Sequence, residues 1–247
     1  HLATGNYNPK TAKLYSDISL FTANSEIAND ATAFFNLVTG YSTLQNMNYL
    51  AMAPVTLKSR LLTMIDREIE RSTKQEPGFI MAKMNSLTHE DVIAALYKAS
   101  QAGVRILLNI RGICMLVPGV EGMSENIRVV SIVDRYLEHS RIFYFQNGGV
   151  EEIWCSSADW MSRNLDRRIE LMFPILEKAS FTEVKGILET YFKDTESAME
   201  LQSDGTWIKV EGKKEAFSAQ TALYKKYKKL NEEHNRKLEI EFKVRRK

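Results

Sequence analysis

His139, Ser140 and Arg141 stand at the entry to the apolar run RIFYFQN (141–147). At the two-residue period of a strand, His139 and Arg141 point to one face. The next apolar run, EEIWCSS (151–157), ends in a Ser156-Ser157 turn. A third, RRIELMFPI (167–175), carries Glu170, with Arg168 two residues earlier on the same face. Neighbouring strand ends would thus gather an imidazole, two guanidiniums, a hydroxyl and a carboxylate. Such a set suits phosphate chemistry. A guanidinium binds two phosphate oxygens at once. An imidazole held by a carboxylate through one nitrogen can attack phosphorus, or pass on a proton, through the other.

A second carboxylate falls in a matching place. Residues 4–17 (TGNYNPKTAKLYSD) and 157–170 (SADWMSRNLDRRIE) align at a constant offset. Thr4 matches Ser157, Gly5 matches Ala158, Asn6 matches Asp159, Tyr7 matches Trp160, Lys10 matches Arg163 and Asp17 matches Glu170, each pair preserving a chemical type. The register continues, with Ala28, Ala31, Phe34, Phe35 and Val38 against Phe181, Val184, Ile187, Leu188 and Tyr191, both sets at helix-face spacing. Any two strand-turn-strand-helix units share apolar matches. They do not share a carboxylate thirteen residues after a hydroxyl. Two similar halves around one site are therefore expected.

The elements that must carry these residues are α/β in class. Strands are predicted at 1–8 and 16–22, joined by a turn-like NPK segment, then a helix over 25–38 and a boundary at 46–54. A helix over 56–74 is stopped by Pro77-Gly78. Residues 79–112 read as a βαβ unit whose helix is N-capped by Thr88 and closed by Gly103. Further strands are predicted at 127–133, 141–147, 151–157 and 167–175, with a hairpin turn at Asn147-Gly148-Gly149. A helix over 182–194, a linker near 203–205 and a basic helix over 218–234 complete the chain.

The 247 residues carry 33 Lys plus Arg against 31 Asp plus Glu, with the excess of bases confined to the segment from Lys209 onward. That segment includes Lys225, Lys226, Lys228 and Lys229, which would meet a polyanion or form a solvated face. No apolar run is long enough for a membrane helix. Cys114 and Cys155 lie in apolar runs without metal-ligand partners, which predicts buried thiols in a reducing compartment. His89 and His234 read as surface residues. The GICMLVPGVEG stretch (112–122) matches neither dinucleotide nor Walker glycine spacing. The chain opens at His1 within a motif, and the second copy has βα structure before it that the first lacks. A C-terminal piece with a truncated first half is expected.

His-x-Arg followed by a Ser-Ser-Ala-Asp turn, with Ala3-Thr4-Gly5-Asn6, resembles the phospholipase D superfamily pattern of His-x-Lys followed by Gly-Ser-x-Asn. Arg141 replaces the Lys, Gln146 stands where that pattern has Asp, and the spacing to the turn is longer. The segments HLATGNYNPKTAKLYSDISLFT, RGICMLVPG, GMSENIRVVSIVDRYLEHSRIFYF and SSADWMSRNLDRRIELMFPI more closely resemble the C-terminal catalytic region of the bacterial polyphosphate kinase family, from the first residue to about Phe192.

That resemblance implies phospholipase D-like mixed sheets flanked by helices. It divides the chain into a remnant of a first domain (1–50), a second domain (51–205) and a basic helical extension (206–247). The implied activity is reversible transfer of the ATP γ-phosphate to polyphosphate through a phosphohistidine. The partners are ATP, ADP and polyphosphate rather than nucleic acid, in a homo-oligomeric, cytoplasmic enzyme at most peripheral to the inner membrane. Tyr15 is similar to a nucleotide contact, Arg111 and Arg168 to phosphate contacts, and His139 to the histidine that protonates the leaving group. Asp17 and Glu170 match the acids that orient two histidines, and Asn6 belongs to the same motif. His1 matches a family histidine other than the nucleophile, whose His-x-Lys motif lies upstream and is absent here. The Mg²⁺ ligands are expected outside this chain, which alone should make no polyphosphate. A phospholipase D-type phosphodiesterase or phosphatidyl transferase, and a polyanion-binding module, are the competing readings.

Overall fold

A computed structural model of the protein describes residues 1–43, 46–212 and 216–241. Its centre is a mixed nine-stranded sheet in the order β13-β12-β7-β6-β5-β9-β10-β11-β4. The strands are β4 (Ala51–Ala53), β5 (Phe79–Met84), β6 (Arg105–Ile110), β7 (Ile127–Ile132), β9 (Arg141–Phe145), β10 (Glu152–Ser156), β11 (Glu170–Pro174), β12 (Ala198–Leu201) and β13 (Trp207–Lys209). The α/β class read from the sequence holds. Helix α4 (Glu90–Gln101) joins parallel β5 and β6 as the βαβ unit requires, and β9, β10 and β11 run antiparallel. The turn between β9 and β10 puts Asn147, Gly148 and Gly149 at φ of 52°, 62° and 89°, the left-handed region that the Asn-Gly-Gly run can enter.

Both faces of the sheet are covered. Helix α3 (Leu57–Arg71) buries Leu57, Leu61, Met64 and Ile65 with Val92, Leu96 and Phe143 on one side. On the other, α2 (Ser25–Val38) and α6 (Lys178–Tyr191) cover Met81, Tyr144, Ile153 and Phe173. Helix α6 starts four residues before the predicted 182 because the Glu177 carboxylate accepts the Ala179 and Ser180 amides. It buries Val184, Leu188 and Tyr191, as the repeat register predicts. In α2 the buried face shifts to Ile27, Asp30 and Ala33, which leaves Phe35 exposed.

The first segment departs most from expectation. In place of two long strands there are only β1 (Leu2–Ala3), β2 (Tyr15–Ser16) and β3 (Ser19–Leu20), with a helical turn α1 (Pro9–Ala12). Asn6 Oδ1 accepts the Asn8 amide and Asn8 Oδ1 the Lys10 amide, and these side-chain turns end the strand. Strand β1 pairs with β3, while β2 pairs in parallel with β8 (Leu137–Glu138) of the second half. The expected boundary segment is clamped. The Asp30 carboxylate accepts the amides of Asn48, Tyr49 and Leu50, and Arg60 donates to the carbonyls of Met47, Asn48 and Tyr49.

Helix α4 is capped by His89 rather than Thr88. The imidazole Nδ1 accepts the Asp91 amide, and Nε2–H donates to Asp166 of the turn after α5 (Ser162–Leu165). His89 is buried, not a surface residue; His234 is exposed. Where a linker was expected, β12 and β13 form a hairpin closed at Gly205 (φ 84°). Helix α7 (Ala219–Glu241) runs beyond the predicted 234, and residues 242–247 of the basic extension lie outside the described residues. Both thiols are free. Burial pushes Cys114 up to about 11 and Cys155 up to about 12.

Candidate active site

His139 lies between β8 and β9, not within a strand, and its placement begins with the backbone. The amides of His139 and Ser140 both donate to the Ser16 carbonyl at 3.0 and 3.2 Å. On the buried side, Lys83 Nζ donates to the Ser140 carbonyl at 3.0 Å. Ser16 and Tyr191 hydroxyls both donate to the Glu138 carboxylate. Burial brings the Lys83 ammonium down to about 8, partly offset by Glu138.

The imidazole Nδ1 sits 3.1 Å from both oxygens of Asp17. An ionised carboxylate only accepts, so Nδ1 carries the proton, and Nε2, the nitrogen turned away from Asp17, lies 3.1 Å from Arg141 Nη1. Thr4 Oγ1 donates to Asp17 Oδ1 at 2.8 Å and accepts the Ile18 amide. The acid comes so close to the turn that a Cβ on Gly5 would lie 2.0 Å from Asp17 Oδ2. Tyr15 packs against the imidazole with ring centroids 4.6 Å apart.

Arg141 is buried and committed to the protein. Its Nε and Nη2 bind the two oxygens of Asp159 at 3.2 and 2.8 Å, and Nη1 donates to the carbonyls of Thr4 and His139. Burial opposes the charge on Asp159, but the Arg141 guanidinium and Asn85 outweigh it and hold the carboxyl below its ordinary range. Asn85 Nδ2 also donates to Asp159, and its Oδ1 accepts Nε and Nη2 of Arg111. Arg111, just past β6, makes no other side-chain hydrogen bond among the described residues, which leaves further N–H groups for a ligand.

Glu170 occupies the equivalent turn of the second copy. Ser157 Oγ donates to Oε2 at 2.5 Å and Asn164 Nδ2 to Oε1 at 2.7 Å, while Ser157 Oγ accepts the Leu171 amide. This carboxylate lines a cavity of about 610 Å³ together with Ser157, His1, Leu50 and Phe173. His1 is stacked on Phe21, with ring centroids 4.3 Å apart.

Residues 1–44 match the family model for polyphosphate kinase C-terminal domain 1, and residues 50–220 that for C-terminal domain 2. The chain belongs to the polyphosphate kinase family. It is 52% identical over 214 residues to a polyphosphate kinase of Rhodopirellula baltica, and 53% over 208 residues to one of Synechocystis. The alignments take in 87% and 84% of this chain but only 25% and 29% of those relatives. A polyphosphate kinase crystal structure from Porphyromonas gingivalis superposes with a TM-score of 0.88 at 41% identity, over 94% of this chain and 36% of that one.

Of the residues singled out by the polyphosphate kinase resemblance, Tyr15, Asp17 and His139 form one cluster, and Arg111 is joined to it through side chains. Arg141 touches the imidazole but has no free fork for phosphate. Arg168 does not share a strand face with Glu170, because β11 begins at Glu170 and Arg168 lies exposed in the preceding turn. Asn6 is exposed and spent on its own turn. Lys83, Asn85 and Glu138 were not anticipated. The signal for the first two was a Lys and an Asn in the otherwise apolar FIMAKMN run, where a buried polar group needs partners. Among the described residues no group of three or more His, Cys, Asp or Glu is arranged to hold a metal ion. No described helix is long and apolar enough to cross a membrane.

Proposed function

We propose that this chain supplies the leaving-group side of a polyphosphate kinase site, in an enzyme that reversibly moves the γ-phosphate of ATP onto polyphosphate through a phosphohistidine. The observation that carries the reading is the Asp17–His139 pair. Asp17 fixes the proton on Nδ1 and stabilises the imidazolium, so that Nε2 can give a proton to the departing phosphate oxygen and recover it in reverse. The Tyr15 ring beside the imidazole offers a face to the nucleotide, and the free edge of Arg111 offers donors to phosphate. Glu170, preset by Ser157 and Asn164, is placed to orient a second histidine contributed by another part of the enzyme. His1 borders that cavity as a wall residue, and Arg168 reaches phosphate from the turn.

On this reading the division falls at 1–50, 51–205 and 206–247, and Mg²⁺ is held by parts of the longer family chain. The working enzyme is a cytoplasmic homo-oligomer that meets ATP, ADP and polyphosphate but not nucleic acid, and the 247-residue chain alone makes no polyphosphate. The test is His139→Ala in the full-length enzyme. Turnover should fall roughly 10²–10⁴-fold, the usual worth of a positioned proton donor. Synthesis at the wild-type rate, or polyphosphate made by the isolated chain, would overturn the assignment.

A further inference from the structure

The family pattern places a base two residues after the histidine, and Arg141 fills that place without being free to bind substrate. Arg141 has five N–H groups. Four are engaged, by the two oxygens of Asp159, the Thr4 carbonyl and the His139 carbonyl. Both Nη1 hydrogens are therefore committed, yet Nη1 lies 3.3 Å from Nδ1 and 3.1 Å from Nε2 of His139. Near-equal distances to both ring nitrogens exclude an in-plane approach, which would collide with the carbon between them. The guanidinium lies over the imidazole face. There it contacts both ring nitrogens and holds the ring.

Asp159 is the hub of this arrangement. Besides the Arg141 fork it accepts the Asn85 amide at 2.7 Å, the Ser86 amide at 3.3 Å and the Asn85 side chain at 3.1 Å. Asn85 in turn holds the Arg111 guanidinium at 2.8 Å. One buried carboxylate thus fixes the support of His139 on one side and the support of Arg111 on the other. These two residues belong to separate loops, and no backbone pairing joins them directly.

We propose that Asp159 is a positioning residue for phosphoryl transfer, setting through Arg141 the face and charge environment of His139 and through Asn85 the orientation of Arg111. It touches no reacting atom itself. Its charge matters because the imidazole faces Asp17 and Tyr15 from the first repeat copy and Arg141 from β9, with Lys83 and Glu138 behind the 139–140 backbone. Neutralising Asp159 leaves the Arg141 cation uncompensated over the ring, which disfavours the imidazolium.

The proposal rests on the reading of His139 given above, and two readouts separate them. In full-length enzyme, Asp159→Asn should lower kcat roughly 10–100-fold, a size taken from groups that orient metal-binding histidines. The limb of the kcat–pH profile that requires protonated His139 should also move to lower pH. A carboxylate that merely stabilised the turn would reduce active enzyme without moving that limb. The double variant R141M/D159N, which removes both charges, should bring the limb back toward wild type. In the 247-residue chain, histidine NMR titration, assigned with H139N, should show the same downward move for D159N and the same return for the double variant. A wild-type profile and titration in D159N, or a double variant displaced as far as D159N, would overturn the proposal. Should D159N fail to fold, R141K, whose ammonium cannot span Asp159 and two carbonyls, must lower kcat per folded molecule; wild-type kcat there would equally overturn the proposal. Should the NMR shifts appear while the wild-type full-length enzyme makes no polyphosphate, the kinase reading fails and the positioning role stands.

Discussion

The two copies of the repeat share a skeleton of hydrogen bonds and differ in what that skeleton holds. In each, the hydroxyl residue donates to an acid thirteen positions on, and the amide after the acid donates back to the hydroxyl. In each, the hydroxyl residue's own amide bonds the carbonyl of that same later residue, Thr4 to Ile18 and Ser157 to Leu171. The third partner differs. Asp17 receives His139 from the other half, whereas Glu170 receives Asn164 from its own turn and leaves the rest of its reach to a cavity. The residue two after the hydroxyl diverges as well, since Asn6 is a surface turn and Asp159 a buried hub. Duplication has preserved the device that aims a carboxylate and varied the target.

The sharpest way to break this comparison is at the small residue beside each hydroxyl. Gly5→Ala places a methyl in the space that the Asp17 carboxylate occupies, so the acid must leave both Thr4 and His139. Turnover of the full-length enzyme should fall roughly 10²–10⁴-fold, as for loss of the group that orients a catalytic imidazole. Ala158→Gly, the reciprocal change, should cost about 1 kcal/mol of stability and leave turnover alone. Equal effects of the two on turnover would mean that the copies are not specialised.

An intermediate effect is expected from Lys83, which is buried behind the loop that carries His139. Below about pH 8 its ammonium is charged in both folded and unfolded states, and its burial costs stability. Between about 8 and the ordinary 10.5 the unfolded chain binds a proton that the folded chain has lost, so stability rises with pH. Urea unfolding of wild type relative to Lys83→Met should show a gain on the order of 3 kcal/mol across that window. Parallel curves would show that the ammonium is not buried as described. The thiols titrate alike in both proteins and cancel.

The smallest effect should come from the basic helix. Lys226 is paired with Glu183, while Lys225 and Lys228 have no ion pair among the described residues. Reversing those two charges should weaken polyphosphate binding only several-fold and flatten its salt dependence, as for exposed charges. Unchanged binding would make α7 a solvated face.

Residue type and spacing carried the strands from 79 to 174, since buried parallel and hairpin strands read as apolar runs with turn residues between them. They carried the repeat too, because hydroxyl, small residue and acid persist where apolar residues alone would be ambiguous. What stayed hidden depends on partners distant in sequence. Parallel pairing of β2 with β8 brings Asp17 to His139 across 122 positions, and nothing local to either residue announces it. His89 reads as surface until Asp166 is seen to meet it. The strand placement of Arg168 fails for the opposite reason: a local turn, held by its amide bond to the Arg163 carbonyl, delays the strand that periodicity would start at 167.

The segment between the halves has the amides of Asn48, Tyr49 and Leu50 bonded to Asp30 of α2 and the carbonyls of Met47, Asn48 and Tyr49 bonded to Arg60 of α3. A connection bonded along both edges behaves as a bracket and not as a hinge. Relative rotation of the halves would break bonds on one edge or the other, so the spacing between the two aimed carboxylates is a built-in gauge length.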